Sequence, residues 1–219
     1  MEDVSALARS ELFTSLGEDA LARVATKATT VRLERNDKIF DEGDHADELF
    51  VVHSGRIAIV KRALDGRESV VALIEAGDIF GEMPLFDEEP RSASARALER
   101  SELVRVPFDV VRAELEARPV LLWDVVGLFA RRLRSADDAI ADAMLLDVTG
   151  RTAKRLLELS GDADEFVLPI TQEELAGLVG ASRERVNKAI AAFVRLGWLD
   201  QNDRRYRIKN RERLADRAR

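Results

Sequence analysis

The chain has 219 residues, 46% hydrophobic and 34% charged, which suits one large or two small globular domains. No apolar run approaches the roughly 20 residues that span a bilayer, and the acidic start MEDVSALARS lacks the layout of a secretory signal, so a cytoplasmic protein is expected. The absence of cysteine excludes disulfides, thiolate-held iron–sulfur clusters and cysteine nucleophiles, while two histidines, His45 and His53, are too few for a typical zinc site.

The net charge of −7 conceals an asymmetry. Residues 147–219 hold 15 Lys/Arg against 12 Asp/Glu, and the rest of the chain holds 19 against 29. An acidic front and a basic back point to a nucleic-acid surface confined to the C-terminal part.

In chain order, Ser15-Leu16-Gly17-Glu18 fits a capping box that opens a helix to about Ala28. The period then changes. Thr29–Leu33, Leu49–His53, Arg56–Arg62, Ser69–Ile74, Ser92–Ala97 and Glu102–Pro107 are short runs rich in β-branched and apolar residues. Turn signals at Gly43, Gly55, Gly66 and Gly77 recur 12, 11 and 11 residues apart, and Asp65-Gly66 is a hairpin signal. Short strands at that spacing predict a β-sandwich or roll.

Between two of the runs lies FGEMPLFDEEPRSASA, Phe80 to Ala95. Gly81 permits close approach of backbone to a ligand. A short helical turn after it would present N–H groups to an anion. Arg91 and Ser92 add a charged fork and a hydroxyl suited to a phosphate, and Glu82 can accept from sugar hydroxyls. The same residues also fit an acidic surface loop with Arg91 paired to Asp87 or Glu88.

A long helix is predicted from Pro119 to about Leu146, about 42 Å at 1.5 Å per residue. Leu122, Val126, Phe129, Leu133, Ala136, Ile140 and Ala143 recur at alternating steps of four and three, the seam of two helices packed knobs into holes. One amphipathic helix covering its own domain is the other reading. Asp147 or Thr149 then caps a helix to about Ser160, after a hinge, and Val167-Leu168 forms a short strand ended by Pro169.

Thr171-Gln172-Glu173-Glu174 is a second capping box, opening a helix through Val179. Gly180 turns the chain, Ser182 caps again, and a helix runs from Arg183 to Leu196 before Gly197. Helix, short glycine turn, helix is the helix-turn-helix arrangement. Val186, Ile190 and Phe193 share the core face, and Arg183, Glu184, Asn187 and Lys188 share the opposite one, where a recognition helix meets base edges. Arg and Lys suit guanine O6 and N7, and Glu accepts from cytosine N4. A solvated face laced by a Glu184–Lys188 pair is the plainer reading. The basic hairpin Asp200 to Lys209 would be a wing over the phosphate backbone.

These stretches together resemble one family. FGEMPLFDEEPRSASA looks like the phosphate-binding cassette of cyclic-nucleotide domains. ARRLRSADDAIADAMLLDVTGRTAKRLLEL and TQEELAGLVGASRERVNKAI resemble the dimer helix, hinge and reader of the cyclic AMP receptor branch of the CRP/FNR regulators, and LFDEEPRS with the ending RERLADRAR is similar to the GlxR type. The resemblance implies an α+β chain: a jelly-roll-like cyclic-nucleotide-binding β-roll over 1–118, a dimerisation helix and hinge over 119–146, and a winged helix-turn-helix over 147–219. It implies a non-enzymatic homodimer, double-stranded DNA and RNA polymerase as partners, and cyclic AMP as effector, with no metal, haem or iron–sulfur cluster. Gly81 and Glu82, with Met83 beside them, would meet the ribose, and Arg91 and Ser92 the cyclic phosphate. Arg183, Glu184 and Lys188 would read a TGTGA-type half-site, and Thr171 and Ser182 would touch phosphates. The cassette is one residue tighter than in some relatives, with an unusual Pro84. Where the family carries a Thr with Ser or Asn to hold adenine, this chain has Ala136 and Asp137, which predicts weakened coupling between nucleotide and DNA. The alternatives are a nucleotide-independent regulator and a regulatory subunit of a partner protein. A cupin-like enzyme would need clustered metal ligands that this chain lacks.

Overall fold

The computed structural model describes residues 6–10, 12–62 and 68–219. The Asp65-Gly66 hairpin signal lies outside them. The described chain divides into two compact units, residues up to 62 with 71–133, and 68–70 with 134–219. Each is described by itself.

The first unit opens with helix α1 (Glu18–Lys27). Its N-cap is Gly17 and makes no side-chain capping bond, so the Ser15 capping box does not form. Instead Gly17 O accepts from the N–H of Ala20 and Leu21, and the acidic pair Glu18 and Asp19 sits in the first turn, where the helix dipole favours it. Strands β1 (Thr29–Leu33), β2 (Lys38–Phe40), β3 (Glu48–Ser54), β4 (Ile57–Arg62), β5 (Glu68–Ile74) and β6 (Ile79–Phe80) follow. After a single helical turn α2 (Pro84–Asp87) come β7 (Ser94–Ala97) and β8 (Ser101–Pro107). The strands form two four-stranded sheets, in the orders β1-β8-β3-β6 and β2-β7-β4-β5. This is the expected β-roll, with β2 and β6 added to the predicted runs and β7 starting two residues later than predicted.

Strand β3 shows why the roll holds. Its alternate residues Phe50 and Val52 join Leu33, Ile57, Phe80, Ala95, Ala97 and Leu103 in one core. Leu49 and Val51 face the other way, into a core with Ala20, Leu21 and Val24 of α1. Helix α3 (Phe108–Ala117), which the sequence reading did not foresee, adds Phe108, Val111 and Leu115 to that second core. A strand buried on both faces carries an unbroken apolar run, LFVV, and this one does.

The predicted long helix begins as a 3₁₀ turn (Pro119–Leu121) and continues as α4 (Leu122–Leu145). The reading of a helix that covers its own domain holds for one face. Leu121, Val125 and Leu128 are buried in the first unit's core, so one stripe covers its own domain. The seam stripe is left outside: Leu122, Val126, Leu133 and Ile140 are exposed and Phe129 is half-buried. Trp123, off the seam, is 74% exposed.

In the second unit, α5 (Val148–Ser160) is capped by Asp147, whose carboxylate accepts from the Gly150 N–H at 2.8 Å. Strand β9 (Glu165–Val167) pairs with β11 (Arg205–Ile208), which pairs with β10 (Leu199–Asn202). Helices α6 (Gln172–Val179) and α7 (Arg183–Arg195) flank the turn at Gly180, whose φ of +66° lies in the left-handed region that glycine enters without strain. Val186, Ile190 and Phe193 are buried as expected, and Phe193 stacks on the half-buried Trp198 at 5.9 Å. A last helix, α8 (Arg211–Arg217), absent from the sequence reading, buries Leu214. No helix of the described residues is long and apolar enough to cross a membrane.

Candidate functional site

Two sets of residues gather chemistry, one in each unit. In the first, β6 hydrogen-bonds to β3, with Phe80 opposite Phe50, and so fixes the point where the cassette begins. The next residue, Gly81, has φ +74°, and a Cβ there would lie 2.6 Å from Arg91 Nη1. The backbone therefore favours glycine at this position, and the Arg91 guanidinium packs on it. Pro84 takes the first position of α2, where its missing N–H leaves no bond unmade.

Arg91 is 5% exposed. Its Nη1 donates to Gly81 O at 2.5 Å and its Nη2 to Glu48 O at 2.8 Å. Its guanidinium carbon lies 4.2 Å from the centre of the Phe40 ring. The acidic surface-loop reading, with Arg91 paired to Asp87 or Glu88, is thus replaced by a buried cation held on carbonyl oxygens and an aromatic face. Burial pulls its pKa below the usual arginine value, against the pull of Glu48, Asp47, Glu82 and Asp44. Arg91 Nε is buried and has no hydrogen-bond partner.

Glu82 is fully buried. Its Oε1 accepts from Arg132 Nη1, and Arg132 Nη2 donates to Ile79 O at 2.5 Å. Burial raises the Glu82 pKa, with the nearby Arg132 charge opposing it. Its Oε2 is buried without a partner. Beside these, Met83 and Ser92 are exposed, with Ser92 Oγ 3.8 Å from Met83 Sδ. The cassette thus brings Gly81, Glu82, Met83, Arg91 and Ser92 into one place. Together they offer a spare cationic N–H donor, a spare carboxylate acceptor and a hydroxyl, a set that suits a phosphate beside a sugar hydroxyl. Ala136 and Asp137 lie in the other unit, on the exposed second half of α4.

Arg132, Phe40 and Phe50 belong to this site and were not singled out from the sequence. Arg132 lies 50 residues from Glu82 and is one of several arginines in ARRLRS, so no local spacing distinguishes it. Phe40 stands on β2, which had no clear strand signal. Among the described residues no group of His, Cys, Asp or Glu is placed to hold a metal ion.

In the second unit the Thr171 capping box and the Ser182 cap form as read. Thr171 Oγ1 accepts from the Glu174 N–H while the Glu174 carboxylate accepts from the Thr171 N–H at 2.7 Å. Ser182 Oγ accepts from the Arg185 N–H at 3.4 Å. Arg183, Glu184, Asn187 and Lys188 are all exposed on the first two turns of α7. Glu184 and Lys188 pair at 2.7 Å, and that bond holds the Glu184 carboxyl below its usual pKa. Such an exposed pair is weak in water, so opening it toward a base costs little. The β10–β11 wing turns at Asp203, with φ +55°, and displays Arg205, Arg207 and Lys209. Arg207 pairs with Glu165 and Lys209 with Asp200, while Arg204 donates to Leu168 O at 2.9 Å.

Each set of residues falls within a stretch that matches a known domain family. The cyclic nucleotide-binding domain family matches residues 30–118, and the Crp-like helix-turn-helix domain family matches residues 150–217. A CRP-like cAMP-activated global transcriptional regulator of Mycobacterium tuberculosis is 38% identical over 97% of this chain and 98% of its own length. The crystal structure of the Thermus thermophilus catabolite activator protein is 30% identical, with a TM-score of 0.55 over 95% of this chain and 98% of that one. FixK2 from Bradyrhizobium japonicum, 23% identical, shares the fold with a TM-score of 0.78 over 86% of this chain and 96% of its own. With a β-roll that matches the cyclic nucleotide-binding domain family, a Crp-like helix-turn-helix domain after it in the chain and relatives alike along almost the whole length, the chain belongs to the CRP/FNR family of transcription regulators, in its cyclic AMP receptor branch.

Proposed function

We propose that the protein works in the cytoplasm as a homodimer, binds a TGTGA-type palindromic operator, and is modulated by cyclic AMP with weakened coupling. The observation that carries the effector half is the pair of buried, partnerless atoms in the cassette, Arg91 Nε and Glu82 Oε2. A buried donor and acceptor left unsatisfied cost about 1–3 kcal/mol each, and a cyclic phosphate and a ribose hydroxyl would remove both costs. The exposed seam of α4, from Leu122 to Ala143, supports pairing with a second copy. Two recognition helices about 34 Å apart then enter successive major grooves on one face of the duplex, with Arg183, Glu184, Asn187 and Lys188 toward bases and Thr171 and Ser182 toward phosphates. Regulation by such a protein implies contact with RNA polymerase, and no step in it calls for catalysis.

Weakened coupling rests on Ala136 and Asp137. A ligand shifts an equilibrium only by its difference in affinity for the two states. Ala136 offers adenine no hydrogen bond, and two Asp137 carboxylates near a dimer axis would repel each other. Calorimetry against cyclic AMP and cyclic GMP, with and without operator duplex, tests this reading. Binding of cyclic AMP with a gain in operator affinity below the roughly 5–150-fold of ordinary allosteric coupling is expected. Absence of heat with either nucleotide, together with tight operator binding, would favour a nucleotide-independent regulator.

A further inference from the structure

The last helix of the chain reaches the place where α4 hands over to α5, and it does so with a charge of the wrong sign for a helix start. Arg217, at the end of α8, donates to Asp147 Oδ2, and Asp147 is the residue that caps α5 through Oδ1. A cation near a helix N-terminus opposes the dipole, so Arg217 is tolerable there only through the capping carboxylate between them. That carboxyl is held below its usual pKa, first by the Gly150 N–H and then by Arg217.

The backbone confirms the closeness of the two elements. A Cβ at Gly150 would lie 2.9 Å from Arg217 O, so the first turn of α5 meets the end of α8 at glycine distance. At its other end α8 is anchored by Arg211, which donates to Gly161 O at 2.8 Å and Ala163 O at 2.7 Å, just past the end of α5. Leu214, between the anchors, is fully buried. The helix therefore lies along α5 and grips both its ends. The junction it grips is tied to the reader as well: Arg151, in the first turn of α5, donates to Leu146 O at 2.6 Å and to Val179 O, at the end of α6, at 2.8 Å.

We propose that Arg217 is a positioning residue for DNA reading, acting through Asp147: α8 clamps the cap of α5 and so fixes the direction in which the reader leaves α4. Without the clamp the first turn of α5 frays, the reader samples several directions, and only the fraction in the competent one binds. Apparent affinity falls in proportion to that fraction.

The test uses Arg217→Gln, Asp147→Asn and the double variant in the full-length protein. Asn caps a helix about as well as Asp, so Asp147→Asn removes the ion pair and spares the cap. Each single variant should speed amide exchange at residues 150–153 about two- to fivefold, the range of a partly exposed ion pair, with the double variant no faster and α7 unchanged. Affinity for a duplex with two inverted TGTGA half-sites should fall by a similar factor, and Arg217→Lys should restore most of it. The affinity arm rests on the operator reading above; the exchange arm needs no DNA, so the two can fail separately. Wild-type exchange in both single variants overturns the clamp, as does an additive effect in the double. Lost affinity with unchanged exchange would place Arg217 on the DNA surface and overturns it too.

Discussion

In the N-terminal unit the charged residues of the candidate site, Glu82 and Arg91, are 0% and 5% exposed, whereas the Glu184 and Lys188 side chains of the reader are 76% and 75% exposed. The cassette keeps charge in a low-dielectric place by surrounding it: Arg132 for Glu82, carbonyl oxygens and the Phe40 face for Arg91. The reader leaves its charges in water, where they cost nothing to keep and little to redirect. The lesson is that the same residue types serve two purposes. Buried, they are part of the fold and, in the proposed function, would meet one small ligand by fixed geometry. Exposed, they would meet a polyanion and can be removed without harm to the fold.

Salt separates the two most widely. If the reader and wing neutralise several phosphates, operator affinity falls on the order of a thousandfold between about 50 and 200 mM salt, through counterion release. Cyclic AMP affinity should change less than about threefold, because buried charges are screened much less. Equal salt slopes in titrations of the two ligands would break the comparison.

Substitution in the cassette comes next. Arg91→Ala should weaken cyclic AMP by about tenfold or more in calorimetry, since a hydrogen bond to a charged group is worth about 1.5–3 kcal/mol. It should also lower stability by about 1–3 kcal/mol in thermal or denaturant unfolding, because Gly81 O and Glu48 O lose their donor. A variant that loses the nucleotide with no loss of stability would show that Arg91 is not part of the frame.

On the reader side, Arg183→Ala should lose about 1–3 kcal/mol of operator affinity, mostly at one base pair, with an unchanged melting temperature. Wild-type discrimination at every position of a TGTGA-type site would remove Arg183 from base reading. The smallest effect lies on α4. Ala136→Thr with Asp137→Ser should raise cyclic AMP affinity and its gain in DNA binding by a few fold, roughly 1 kcal/mol, one modest hydrogen bond. No change in either quantity, with strong nucleotide dependence already in wild type, would mean that Ala136 and Asp137 do not limit coupling.

Local signals carried the reader into view and failed in the cassette's surroundings. Thr171 with Glu174, Gly180 and Ser182 act within three or four residues, and each forms in the structure as the sequence suggests. Ser15 and Glu18 have the same spacing and do not cap, because α1 starts at Glu18 with Gly17 before it. Strands β2 and β6 are three and two residues long, too short for any period to show. Helix α3 has apolar residues at helical spacing, Val111 with Leu115, but follows β8 directly, without a side-chain cap to mark its start. The β-roll was legible because its glycine turns recur. The partners of the cassette's buried charges, Arg132 and Phe40, meet their targets across 50 and 51 residues, where sequence spacing carries no information.

The chain has two tryptophans, and they fall one to each compact unit. Trp123 stands 74% exposed at the start of α4, so its emission should be red and easily quenched by iodide. Trp198 is half-buried against Phe193 in the reader, and its emission should be bluer and better shielded. Replacing either by phenylalanine leaves a single intrinsic fluorophore, so each half of the protein can be watched in turn without an attached dye.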